Sequence, residues 1–130
     1  MKRVEIRVMQ ELDGLGDPEE FTWDLLPVVD PQLTRHLDET GLPRTGTRIV
    51  PGMILVGKIG KSASFHEAAQ PSALEVQGLA FATLSSLYGH QWKDGSCYAS
   101  EEQRGTVERA YFSREQGRLT AVVELVRDSE

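Results

Sequence analysis

The chain has 130 residues, 39% hydrophobic and 26% charged, enough for one hydrophobic core and short of two. Its formal net charge of −6 excludes the global basic signature of a free-standing nucleic-acid binder, so a protein is the better partner. The single cysteine, Cys97, excludes an intramolecular disulfide, and no stretch approaches the roughly 20 apolar residues that span a bilayer.

Met1-Lys2-Arg3 leads straight into an alternating segment rather than the apolar core of a signal peptide, which predicts a soluble, cytoplasmic protein in a reducing compartment. Val4, Ile6 and Val8 alternate with Glu5, Arg7 and Met9, the pattern of a half-buried strand near residues 3–11. Asp13 to Pro18 is a loop, and Phe21-Thr22-Trp23 a short strand. Asp30 suits an N-cap, Pro31 a first turn and Gly41 a C′ position, predicting a helix near 31–39 with Leu33 and Leu37 facing the core together. Residues 47–59 read as a strand interrupted at Pro51-Gly52.

The stretch from Ser62 to Trp92 carries only two formal charges, Glu67 and Glu75. A helix is predicted within 72–88, with Val76, Leu79, Thr83 and Leu87 at helical spacing, widened by Ala80 and Leu84; Phe81 falls off this stripe. Residues 105–114 and 118–127 are strands joined by a hairpin at Glu115-Gln116-Gly117. In the second, Leu119, Ala121, Val123 and Leu125 share one face, and Thr120, Val122 and Glu124 the other. The fold class is mainly β (α+β), a single domain over 1–130.

No catalytic constellation converges. His36, His66 and His90 are too dispersed for a zinc site, and Cys97 lacks a histidine signature. Glu19-Glu20 and Glu101-Glu102 read as solvated loop charge, and Gly57-Lys58-Ile59-Gly60 lacks the frame of a phosphate loop. No metal or cofactor is expected. Arg44, Arg48, Lys58 and Lys61 are candidates for a local basic strip. Leu79, Leu84, Leu87 and Tyr88 fit either ordinary core or an exposed interface, and their low-charge flank favours the interface.

Arg48-Ile49-Val50-Pro51-Gly52-Met53-Ile54-Leu55-Val56-Gly57-Lys58 resembles the "EVxPGDILVGK" segment of bacterial RNA polymerase β subunits. The resemblance is colinear. Leu37-Asp38-Glu39-Thr40-Gly41 is similar to "LDESG", Leu84-Ser85-Ser86-Leu87-Tyr88-Gly89-His90 to "RAIFGEK", and Lys93-Asp94-Gly95-Ser96-Cys97-Tyr98 to "KDSSLR". Gly105-Thr106-Val107 and Tyr111-Phe112-Ser113-Arg114-Glu115 resemble the "GTV" strand and its "VFSRE" end, and Leu119 to Arg127 resembles "VRVYVAQKR".

The matched region in that family is the β flap, or wall. The resemblance implies an antiparallel flap-like barrel or sandwich, with one short helix in the N-terminal half and 62–92 as the flap-tip insertion with a protruding helix. It implies that Leu79, Leu84, Leu87 and Tyr88 meet the C-terminal domain of a sigma factor or another transcription factor, with the polymerase core as a further partner. It implies that Arg44, Arg48, Lys58 and Lys61 face RNA, with weak or no nucleic-acid binding by the chain alone. The family's active-centre segments have no counterpart here, which implies a module that is not an enzyme by itself. Where the family's tip flanks are charged, Gly78-Leu79-Ala80-Phe81-Ala82-Thr83 is apolar, which suits a greasier groove. The alternatives are a structural piece of a true polymerase β subunit and an unrelated β-barrel enzyme or ligand-binding protein.

Overall fold

A computed structural model describes residues 1–66 and 78–127. The strands are β1 (Lys2–Met9), β2 (Glu20–Phe21), β3 (Arg48–Ile49), β4 (Ile54–Val56), β5 (Lys58–Lys61), β6 (Trp92–Asp94), β7 (Cys97–Tyr98), β8 (Gly105–Glu115) and β9 (Arg118–Arg127). One α-helix, α1 (Phe81–Tyr88), stands between β5 and β6. The fold is mainly β, as predicted, and its largest sheet curls into an antiparallel half-barrel.

That sheet has the order β1-β9-β8-β3. The β8–β9 turn is tighter than the predicted three-residue loop. Glu115 pairs with Arg118, and Gln116 and Gly117 both take positive φ, 54° and 77°, the two-residue turn whose twist suits a hairpin. The alternation in β1 holds: Ile6 is buried and Val4 and Val8 half-buried, while Glu5, Arg7 and Met9 are exposed. The inner face gathers Ile6, Ile49, Val107, Ala121, Val123 and Leu125 with Leu55 and Val56 into the main core. On the other face of β9, Val122 is also fully buried. It lies between Arg7 of β1 and Tyr111 of β8, and the Arg109 guanidinium sits 4.3 Å from the centre of the Tyr111 ring. Long charged side chains cover this central strand with their stems, so both faces exclude water.

The predicted 47–59 strand is three strands in three sheets. Pro51 and Gly52 are the central residues of a turn closed by the Met53 N–H donating to the Val50 carbonyl at 3.1 Å. Gly52 has φ of +91°, as the third residue of a type II turn requires. The second break is at Gly57, where a Cβ would lie 2.3 Å from the Thr22 carbonyl oxygen. Only glycine admits that approach, which lets the Thr22 N–H donate to the Gly57 carbonyl and passes the chain from β4 to β5.

The predicted 31–39 helix is a single 3₁₀ turn over Pro31–Thr34. Asp30 caps it as expected, accepting from the Gln32 amide at 3.0 Å. It stops because residues 36–38 pair back on 42–44: Leu37 bridges to Pro43, the Asp38 amide donates to the Leu42 carbonyl at 2.7 Å, and the Arg44 amide donates to the His36 carbonyl at 3.0 Å. Leu37 alone is drawn into a second core cluster with Leu25, Val29, Ile54 and Ile59; Leu33 is 58% exposed, so the two leucines do not face the core together.

Candidate partner-binding site

Strands β5 and β6 pair antiparallel, with Lys61 opposite Trp92. The stretch between them therefore leaves the body and returns at one place. Its foot is fixed by polar contacts: the Ser62 N–H donates to the Gln91 carbonyl at 2.9 Å, the Ser62 hydroxyl to the His90 carbonyl at 2.6 Å, and the His66 N–H to Gln91 Oε1 at 3.0 Å. Phe65 meets Trp92 edge to face, with ring centres 5.1 Å apart. Residues 67–77 lie outside the described residues, and with them Val76 and the first part of the helix predicted within 72–88.

Helix α1 begins at Phe81, after Gly78 at φ +87° and an Ala80 N-cap that offers no side-chain acceptor. It ends in a 3₁₀ turn over Gly89–Gln91 that feeds β6. Leu84 is 6% exposed, with Phe81 and Tyr88 half-buried three residues before it and four after. This inward stripe differs from the predicted one: Phe81 belongs to it, and Leu84 serves the fold instead of lying open to a partner. Leu79 and Leu87 remain outside, 40% and 52% exposed. Of the four predicted partner residues, the structure presents these two fully and Tyr88 in part. Phe81 lies off the spacing of Leu79, Thr83 and Leu87, so the sequence pattern carries no sign of its inward role.

The four candidate basic residues do not form one strip. Lys58 is 4% exposed, and its Nζ lies 2.6 Å from Glu19 Oε1 and donates to the Met9 carbonyl at 3.1 Å. The sequence places Lys58 among surface cations, but burial between β1, β2 and β5 gives it a structural partner instead. Lys61 is half-exposed, 3.9 Å from Asp17 and over the Phe65 ring. Arg44 is exposed and donates from Nη1 to the Arg35 carbonyl at 2.7 Å. Arg48 lines an open groove of about 950 Å³ whose walls also carry Lys2, Arg104 and Arg127. Sequence spacing hides those three; only the strand register, with Lys2 opposite Arg127 and Arg48 opposite Thr106, brings them together.

Cys97 is half-buried, and burial pushes its thiol up, against the opposing pull of the nearby Lys58 charge. The Tyr98 hydroxyl is raised too, chiefly by burial and then by its 2.5 Å hydrogen bond to Asp94. Both groups stay protonated at neutral pH, which gives neither the character of a nucleophile or base. Among the described residues no cluster of three His, Cys, Asp or Glu is placed to hold a metal. No described helix is long and apolar enough to cross a membrane.

The chain is 38% identical over 100 residues to the DNA-directed RNA polymerase subunit beta of Phocaeicola vulgatus, and 36% to that of Bacteroides fragilis. It is similar to a segment of bacterial RNA polymerase β subunits. Each of these alignments covers 74% of the chain and 7% of the relative. A shorter stretch of 41 residues is 54% identical to the subunit of Rhodopirellula baltica. The chain thus spans only a small part of the curated relatives it matches, and no family model matches it.

Proposed function

We propose that this chain is a non-catalytic, transcription-related binding module, a counterpart of the polymerase β flap. It presents the outer face of α1 to a sigma-factor C-terminal domain or another transcription factor. The observation that carries this reading is the exposure of Leu79 and Leu87 on and beside a helix whose foot is pinned between β5 and β6. A short helix offering a few apolar anchors to a groove is a recurring mode of recognition. The similarity to RNA polymerase β subunits supports transcription as its setting. Arg44, Arg48 and Lys61 remain candidates for a weak RNA-facing surface, without the buried Lys58.

The test is titration of the purified chain with a bacterial sigma C-terminal domain by calorimetry, beside Leu87→Asp. Saturable binding that weakens at least tenfold in the variant supports the reading; an affinity unchanged by the variant removes α1 from the interface. A second reading, that the domain is a structural piece of a polymerase β subunit, is favoured by its 7% span of the relatives. Stable association with core polymerase, and none with the free sigma domain, would select it.

A further inference from the structure

We propose that the free edge of β1 is a self-association surface, and that its occupant is the same strand of a second copy of this chain. The polarity of the edge follows from one hydrogen bond. Met9 pairs with Thr120, and the next residue, Gln10, donates its N–H to the Leu119 carbonyl at 2.8 Å. In an antiparallel ladder such bonded pairs alternate along the strand. The even residues of β1 therefore bond to β9, and the N–H and carbonyl groups of Arg3, Glu5 and Arg7 point away from the sheet. The Met9 carbonyl obeys the same parity, since it turns outward to accept from Lys58.

The edge is closed at one end and open at the other. Beyond Met9 it is covered: Glu19 donates its N–H to the Glu11 carbonyl at 2.8 Å, and Gln10 Nε2 donates to the Glu19 carbonyl at 2.7 Å. Among the described residues no hydrogen bond reaches the outward backbone of Arg3, Glu5 or Arg7. Among the described residues β1 is the terminal strand of its sheet.

Charge and the cover over Met9 together select the register. Arg3, Glu5 and Arg7 share the outer face of the sheet, where Arg3 meets Glu108 and Arg7 meets Glu5 and Glu115 within the chain, exposed pairs that a second strand can exchange. A symmetric antiparallel pairing centred on Glu5 sets Glu5 against its own copy and Arg3 against Arg7, which repels. One centred on Ile6 sets Glu5 against Arg7 twice, but it also sets Arg3 against Met9, whose carbonyl already accepts from Lys58 under the Lys58–Glu19 cover. The pairing centred on Val4 sets Arg3 against Glu5 twice, forms four backbone hydrogen bonds between those residues, and brings the two half-buried Val4 side chains together on the inner face. Edge charges commonly guard against strand addition; here they reject the register centred on Glu5, and the cover over Met9 rejects the one centred on Ile6.

Sedimentation equilibrium of the full chain, from low micromolar to millimolar, should show a monomer–dimer equilibrium. Glu5→Lys should weaken it about tenfold or more, and adding Arg3→Glu should restore it. Glu5→Pro should abolish it while the chain still melts as a folded protein, because the lost N–H points away from β9. In a Cys97→Ser background, Val4→Cys should give a disulfide-linked dimer, the paired Cα atoms lying within disulfide range. A chain that stays monomeric throughout, or a dimer indifferent to both Glu5 variants, overturns the proposal.

Discussion

The body around Lys58 and the helix α1 handle their awkward groups in opposite ways. In the body a lysine and a glutamate are taken out of water, with side chains 6% and 8% exposed, and every polar atom is answered. Glu19 also accepts the Glu11 amide at 2.9 Å, and Ser96 bridges the amide and carbonyl of Lys58. In α1 the reverse holds: no side chain caps the helix, one residue is buried, and leucines are left in solvent. The contrast teaches where order is imposed and where it is left for a partner to complete. A buried, fully bonded ion pair fixes the junction of β1, β2 and β5 in one arrangement. A short helix with one anchor is held in place but little more.

The largest expected effect is in the body. Lys58→Ala strands the Glu19 carboxylate in the interior and should cost roughly 3–5 kcal/mol in denaturant unfolding. A loss below about 1 kcal/mol would mean the pair is hydrated and the contrast false. Leu84→Ala should cost about 2 kcal/mol, the low end for a buried leucine, because a short helix relaxes around the gap. In the parent and in the variant alike, amides over 81–88 should exchange faster than those of β8 and β9, because the helix opens without the body. Equal exchange of helix and strands in both chains would show that α1 unfolds only with the body.

Asp13 sharpens the comparison at lower pH. Burial opposes its charge, but the amides of Leu15, Lys61 and Asp17 and the charge of Lys61 outweigh that and hold its carboxyl below the ordinary 3.8. A carboxyl lowered on folding stabilises fully above its unfolded value and loses that contribution as pH falls through the folded one. Asp13→Asn should therefore flatten the acid limb of the melting curve below about pH 4 and leave its shape near neutrality unchanged. An acid limb identical to the parent's would assign the loss to other carboxylates. Leu87→Asp should have the smallest effect on the fold, moving the melting temperature by no more than about 2 °C. A larger drop would place Leu87 in the core.

Much of the body was legible in the sequence because its signals are local. The alternation of Val4, Ile6 and Val8, the β8–β9 hairpin and the Pro51-Gly52 turn rest on side-chain period and backbone stereochemistry. What escaped was decided at long range. The 31–39 helix had its cap and its proline, yet Leu37 and Asp38 paired with the chain at Leu42 and Pro43 instead of extending it. Lys58 reads as a surface cation beside Gly57 until β2 and the end of β1 close over it. In α1 the apolar spacing shows a helix, but Phe81, off the predicted stripe, turns inward with Leu84, while Leu79 and Leu87 stay outside.

Hydrogen exchange with and without a sigma C-terminal domain tests the central claim most directly. In the free chain, residues 81–88 should exchange far faster than Thr106–Phe112 of β8. On adding the sigma domain, protection should rise over α1 and leave β8 unchanged. Equal protection of both segments in the free chain, or protection arising on the body while α1 stays as it was, would contradict the account.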